Sequence, residues 1–394
     1  MTADLIVFGE DWGSHPSSTQ HLIRHFPGTR RLVWVNSIGL RRPRLGATDI
    51  GRAVRKVVRA LLAPAVPSGT DRCATDGPGQ LPMKIVQPLI VPMASGRMTR
   101  ALNRALLGHS VGRAARDMGL RRPVFWTSLP SAVDALGTLG ESAVVYYCGD
   151  DFGALAGVDH AVARAMEAEI AERADLIFAA SAALAARFPA AKTHLLPHGV
   201  DLALFGTPMP RAPDLPGDGP VAGFYGALAS WLDADLIART ARLLPHWHFV
   251  FVGPEQTDLT PLRTCPNVAL LGPRPHAALP AYSQHWTAGI IPFRDNAQIR
   301  AANPLKLREY LAAGRPIVAT WFPALAPYQD HVAVVESAES FAAALEAARI
   351  SDPTAAHRRQ ASVAGESWAA RAAEAAALID RLPQSYARPG SAAG

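Results

Sequence analysis

No apolar run in the 394-residue chain approaches the roughly 20 residues that a membrane-spanning helix requires. The start, MTADLIVFGEDWGS, passes straight into a short strand and an acidic loop with no basic leader. The protein is therefore expected to stay where it is made, in the cytoplasm. Cysteine is scarce: Cys73, Cys148 and Cys265 are odd in number, far apart and outside any CxxC or Cys/His pattern. That argues against disulfides and a zinc site, and it fits a reducing compartment. The turn after the first strand, FGEDWGSHP, lacks G-x-G-x-x-G, which speaks against dinucleotide-dependent redox chemistry. Acid is sparse in one place. Residues 41–122 hold 16 Lys and Arg against 4 Asp and Glu, in a chain whose net charge is only +6. An anionic partner of the first half is implied. No aromatics are interleaved with these charges, so nucleic acid is not the expected one.

What the chain does have is a series of short, continuous apolar runs with helical segments between them. DLIVFG, RLVWVNS, PVFWTS, AVVYYCGD and ADLIFAAS recur in the first half; PVAGFYGAL, HFVFVGP, AGIIPF and PIVATWF recur in the second. Runs that do not alternate with polar residues are buried on both faces, which means parallel sheets covered by helices. At this length two domains are expected. The Pro- and Gly-rich segment 206–219 reads as the linker. The predicted architecture is α/β, with two Rossmann-like parallel-sheet domains facing a cleft. A first domain spans 1–205 and a second 206–365. A helix over 366–382 crosses back to the first domain, and 383–394 is a disordered tail. Segment 63–82, dense in Pro and Gly, reads as a mobile loop.

Ligands of open parallel sheets bind beyond the carboxyl ends of the strands. The most informative segment is NPLKLREYLAAGRPIVAT, residues 303–320. Asn303 is predicted to cap a short helix with Pro304 in its first turn, and Gly314 ends it. Lys306 and Glu309 then share one face near the helix start. Free N–H groups plus a lysine suit a diphosphate, and a carboxylate one turn later can accept two ribose hydroxyls. A plain surface Lys–Glu pair on a capped helix fits the spacing equally well.

The segment resembles the nucleotide-sugar motif of GT-B fold glycosyltransferases, with a C-terminal domain like glycosyltransferase family 4. In that motif a Glu ahead of an AAG-P-V-V turn holds the ribose, and Glu309 matches it. A second Glu often found eight positions earlier is Ala301 here, a departure. GFYGALASWLD is similar to the first strand and loop of the same domain, where Gly226 lets the backbone approach the phosphates. The Arg and Lys usual in that loop are missing, so Lys306 with Arg294 or Arg300 is expected to replace them. LPHGVD resembles the turn ending the first domain; His198 within it is read as a turn residue rather than a base. The donor-binding residues are thus Gly226, Arg294, Asn303, Lys306 and Glu309.

In VVYYCGDDFGAL two adjacent carboxylates follow a buried strand. One of them, partly desolvated by Tyr146, Tyr147 and Phe152, can serve as general base. The competing reading has one Asp capping the next helix and the other solvated. The stretch resembles the xanthan glucuronosyltransferase family, inverting GT-B enzymes with an Asp four residues after a strand Tyr. The spacing Tyr146–Asp150 implies Asp150 as base, with Asp151 as fallback. That family has Gln where Glu309 stands, and its acceptors are lipid-linked oligosaccharides at the inner membrane. In residues 51–64, Arg52, Arg55, Lys56 and Arg59 lie opposite an apolar face, the pattern of a helix on an anionic membrane surface. Residues 95–117 repeat it, with Met98, Leu102, Ala105 and Leu106 against Arg97, Arg100 and Arg104. Helices packed on their own sheet explain both patterns too. In the first loop, Asp11, His15 and Ser18 are acceptor-binding candidates.

The resemblance implies transfer of a sugar from a nucleoside diphosphate sugar, UDP-linked by preference, to a hydroxyl of a lipid-linked or polysaccharide-precursor glycan, with inversion. No cofactor or essential metal is expected, because lysine and helix N-termini neutralise the leaving diphosphate. Peripheral association with the inner membrane is expected. The alternatives are a non-catalytic nucleotide-sugar-binding or scaffold relative, suggested by Ala301, and an epimerase or hydrolase on the same fold.

Overall fold

The apolar runs form strands, and nearly every residue in the central ones is buried on both faces. A computed structural model describes residues 2–13, 17–38, 82–91, 96–153, 159–350 and 352–382. The expected membrane-facing cations Arg52, Arg55, Lys56 and Arg59, the acceptor candidate His15, the loop 63–81 and the tail 383–394 lie outside the described residues.

The first unit holds a seven-stranded sheet: β1 (Leu5–Phe8), β2 (Leu32–Val35), β3 (Met83–Val86), β4 (Val124–Thr127), β5 (Ala143–Cys148), β6 (Leu176–Ala179) and β7 (Thr193–Leu195). Its order is β3-β2-β1-β4-β5-β6-β7, with every pair parallel. The second unit holds a six-stranded parallel sheet: β8 (Val221–Tyr225), β9 (His248–Val252), β10 (Val268–Leu270), β11 (Ala288–Ile291), β12 (Ile317–Ala319) and β13 (Val332–Val334). Its order is β10-β9-β8-β11-β12-β13. Both orders reverse direction beside their first strand, so each sheet has a topological switch point, β1/β4 in one and β8/β11 in the other. The principal helices are α1 (Ser18–Arg24), α2 (Arg97–Asp117), α3 (His160–Arg173), α4 (Ala234–Leu243), α5 (Leu305–Ala312), α6 (Ala338–Ala347), α7 (Pro353–Ser362) and α8 (Trp368–Ile379).

The two α/β units are the GT-B class of fold. The first comprises residues 1–179, 184–195 and 372–394, and the second residues 180–183 and 196–371. The chain enters the second unit at Leu196 rather than 206. Segment 206–219 is not a free linker: Ala212 and Leu215 are buried in the second core, and the Ala212 N–H donates to the Ala281 carbonyl at 2.9 Å. The last helix, α8, begins in the second unit and ends in the first, where Asp380 just beyond it pairs with the fully buried Arg30 at 2.7 Å.

Helix α2 packs on its own unit through Leu107, Val111, Ala114 and Ala115. Its opening turns leave Met98 87% and Leu102 49% exposed. Arg100 does not face solvent as a lone charge, since it pairs with Asp134 at 2.6 Å and Glu169 at 2.8 Å. Among the described residues no helix is long and apolar enough to cross a membrane.

Candidate functional site

Each unit carries a polar cluster at the carboxyl ends of its strands. In the second unit it is built on the switch point. Strand β8 ends in Tyr225-Gly226, and Gly226 adopts φ +123°, a backbone state that side chains rarely allow. A Cβ there would lie 2.8 Å from the Lys306 Nζ. The missing side chain therefore makes room for the lysine. The Gly226 N–H is itself taken, donating to the Val252 carbonyl at 2.9 Å. The need for glycine at this position is steric.

Lys306 sits in the first turn of α5, half-buried, with Nζ 3.9 Å from the centre of the Phe224 ring and 5.3 Å from that of Phe293. Those rings belong to β8 and to the residues just after β11, so the ammonium stands at the switch point. Desolvation lowers it to about 7, opposed by the charge of Glu309. The ring faces attract a cation and also work against the lowering.

Glu309, one turn on, is buried at 6% exposure. Its Oε1 lies 3.0 Å from His276 Nε2. The buried phenol of Tyr225 is pushed well up, first by burial and then by the Glu309 charge. Lys306, Glu309, Gly226 and Tyr225 therefore lie close together in the second unit, with His276 bonded to Glu309. Sequence reasoning missed His276: it follows a Gly-Pro-rich turn after β10, and no spacing ties it to residue 309.

Asn303 is not the helix cap. Pro304 occupies that position without a side-chain cap bond, and Asn303 is buried. Its Nδ2 donates to the Ala180 carbonyl at 2.6 Å, and its Oδ1 accepts from Arg308 at 2.6 Å. Arg308 continues to Glu366, which Tyr328 also contacts. Both ends of the Asn303 amide are used inside the fold, because Arg308 one turn later turns inward rather than to solvent. Arg294 pairs with Asp235 at 2.9 Å and Asp233 at 3.9 Å, and Arg300 with Asp295 at 2.6 Å. Their charges are already answered, so neither stands as a second lone cation beside Lys306. Ala301 is buried, with its carbonyl accepting from Ser181 at 2.7 Å.

In the first unit the cluster joins the ends of β1 and β5. Asp151 is committed to structure: it accepts from the Gly153 N–H at 2.9 Å and pairs with Arg187 at 2.9 Å. Arg187 also pairs with Glu167, which accepts from the Tyr146 hydroxyl at 2.8 Å. Asp150 has no such counter-charge among the described residues. Although it keeps solvent contact, its carboxyl is raised to about 6, by desolvation and then by the like charges of Glu10 and Asp151. For an exposed group the neighbouring charges are the sturdier cause. Glu10 is a further functional candidate that spacing did not reveal; among the described residues nothing hydrogen-bonds its buried Oε2.

Asp11 ties the loop after β1 to the one after β2: its Oδ1 accepts from the Ser37 N–H at 3.0 Å and hydroxyl at 2.8 Å. Beside it, Trp12 meets Trp34 edge-on at 4.7 Å with Arg24 over its outer face. Ser18 opens α1, next to the capping Ser17. His198 is buried near Trp368, in keeping with a turn residue.

Residues 219–349 match the family described as glycosyl transferases group 1. The chain is similar to the putative teichuronic acid biosynthesis glycosyltransferase TuaH of Bacillus subtilis, 36% identical over 146 residues. That match covers 35% of this chain and 36% of the relative. The fold is shared along nearly the whole chain with Anabaena HepE, solved in complex with UDP and glucose. The TM-score is 0.66 at 14% identity, over 96% of this chain and 100% of that one. Sucrose-phosphate synthase from Thermosynechococcus elongatus gives a TM-score of 0.67 at 14% identity, over 96% and 99% of the two chains.

Proposed function

We propose that the protein is a glycosyltransferase that takes a sugar from a nucleoside diphosphate sugar, UDP-linked, and attaches it to a hydroxyl of a lipid-linked or polysaccharide-precursor glycan. The observation that carries this is the ammonium of Lys306 held over Gly226 at the β8/β11 switch point, with a carboxylate one helical turn away. Lys306 stabilises the leaving diphosphate, and Glu309 takes the ribose hydroxyls. The lysine supplies the neutralising charge, so no essential metal is invoked. UDP as the nucleotide is supported by the UDP bound in HepE, and the glycan acceptor by the teichuronic acid biosynthesis in the name of TuaH.

Inversion needs one base to take the acceptor proton as its oxygen attacks the anomeric carbon. Asp150, raised to about 6 and without a counter-charge among the described residues, suits that task; Asp151, bound to Arg187, does not. Asp11, His15 and Ser18 remain the acceptor-side candidates, and the cations at 52–59 the candidates for peripheral membrane contact at the cytoplasmic face. A panel of sugar nucleotides screened by thermal shift, followed by NMR of the product's anomeric configuration, tests the reading. Glu309→Ala is expected to weaken UDP binding, and Asp150→Asn to cut turnover about 10²- to 10⁴-fold with UDP binding kept. Normal turnover in Asp150→Asn removes the base, and a retained anomeric configuration removes inversion.

A further inference from the structure

We propose that His276 is the positioning residue of the nucleotide pocket: its Nε2–H donates to Glu309 and fixes the carboxylate that receives the ribose hydroxyls. The inference rests on the ribose assignment of Glu309 made above. Nε2 and Oε1 are 3.0 Å apart, and the side chains are 17% and 8% exposed, respectively. A carboxylate so buried needs a partner, because an unpaired buried charge is expensive. Lys306 does not provide a direct one. Among the described residues its ammonium makes no ion pair with Glu309 and lies instead against the Phe224 face. An ionised carboxylate can only accept, so the imidazole nitrogen facing it carries the proton, which fixes the ring tautomer.

The donor is itself held. The His276 ring meets Phe205 edge-on at 5.5 Å, and its carbonyl accepts from the Leu279 N–H at 3.1 Å in the turn after Pro275. With Oε1 taken by a ring anchored on a different element, the carboxylate cannot rotate freely about its last bond. The remaining lone pairs then keep one direction, as recognition of a vicinal diol requires. A hydrogen bond that merely staples the loop after β10 to α5 would do nothing of the kind, and the two roles are separable.

The experiment compares binding of UDP and 2′,3′-dideoxy-UDP by the full chain and by His276→Ala, His276→Gln and Glu309→Ala, using titration calorimetry. His276→Ala should bind UDP about tenfold more weakly, the loss of one hydrogen bond to a charged group. Its affinity for the dideoxy nucleotide should stay within about twofold of the parent. His276→Gln, whose amide can place an N–H near the Nε2 position, should recover part of the UDP affinity. Equal weakening for both nucleotides in His276→Ala means a structural staple and overturns the proposal, as does unchanged UDP affinity. Should Glu309→Ala lose the preference for UDP over the dideoxy form while His276→Ala keeps it, positioning by His276 is refuted and the ribose assignment stands. Unchanged UDP affinity in Glu309→Ala brings down the ribose assignment itself.

Discussion

Lys306 stands half-buried against Phe224 and Phe293 with its ammonium lowered to about 7. At pH 8 an amine with that value is about nine-tenths neutral. A diphosphate arriving beside it favours the charged form and restores the proton. Binding of UDP should therefore take up about 0.9 proton per site at pH 8 and about 0.5 at pH 7. Working at pH 8 keeps the terminal phosphate of UDP, whose second ionisation lies near ~6, out of the count. Calorimetry in buffers of different ionisation enthalpy reads the number directly as a slope. By linkage, UDP affinity should also fall by nearly tenfold from pH 8 to pH 9. Lys306→Met should abolish both the uptake and the pH dependence. A heat of UDP binding that is independent of buffer at pH 8, or an unchanged slope in Lys306→Met, would refute the placement of the diphosphate at this lysine. The same lowered value sets a stability effect. Its contribution is fully present above about 10.5 and is lost as pH falls through about 7, so Lys306→Met should melt higher than the parent at pH 6.

If Asp150 is the base, kcat/KM should rise with pH through about 6 as the carboxyl ionises, and Glu10→Gln should move that limb to lower pH by removing a like charge. A raised carboxyl also means that the fold disfavours the ionised form, so Asp150→Asn should gain thermal stability at pH 8, a gain absent below about pH 4. Gly226→Ala combines strain at φ +123° with a Cβ 2.8 Å from Lys306 Nζ, so UDP affinity should fall along with roughly 1–3 kcal/mol of stability in denaturant titration. Asn303→Ala should cost about 1–3 kcal/mol by leaving buried partners unpaired, with UDP affinity unchanged once folded. Neutralising Arg52, Arg55, Lys56 and Arg59 together should reduce cosedimentation with phosphatidylserine vesicles at least tenfold, given about 1 kcal/mol per cation near such a surface. Equal cosedimentation removes this stretch as the membrane contact.

The sequence by itself determined the class of fold. Short continuous apolar runs rich in β-branched and aromatic residues read as strands covered on both faces, and punctuation by Gly and Pro set where they end. It also placed Lys306 and Glu309 together, because three residues on a helix is a local relation that any α-helix enforces. What the tertiary structure decided are the relations that helical or strand periodicity does not encode. His276 meets Glu309 from 33 residues away, and Arg294 is taken by Asp235 from 59 away. Glu10 bears on Asp150 because β1 and β5 end on the same side of one parallel sheet. Asn303 looked like a cap by local rule, but a buried arginine one turn later offered its amide a stronger partner. Gly226 was singled out by resemblance as a point of close backbone approach, yet the space it leaves for a lysine from α5 exists only once β8 and that helix are packed. Which neighbour wins a polar side chain depends on burial, and burial is a property of the assembled core.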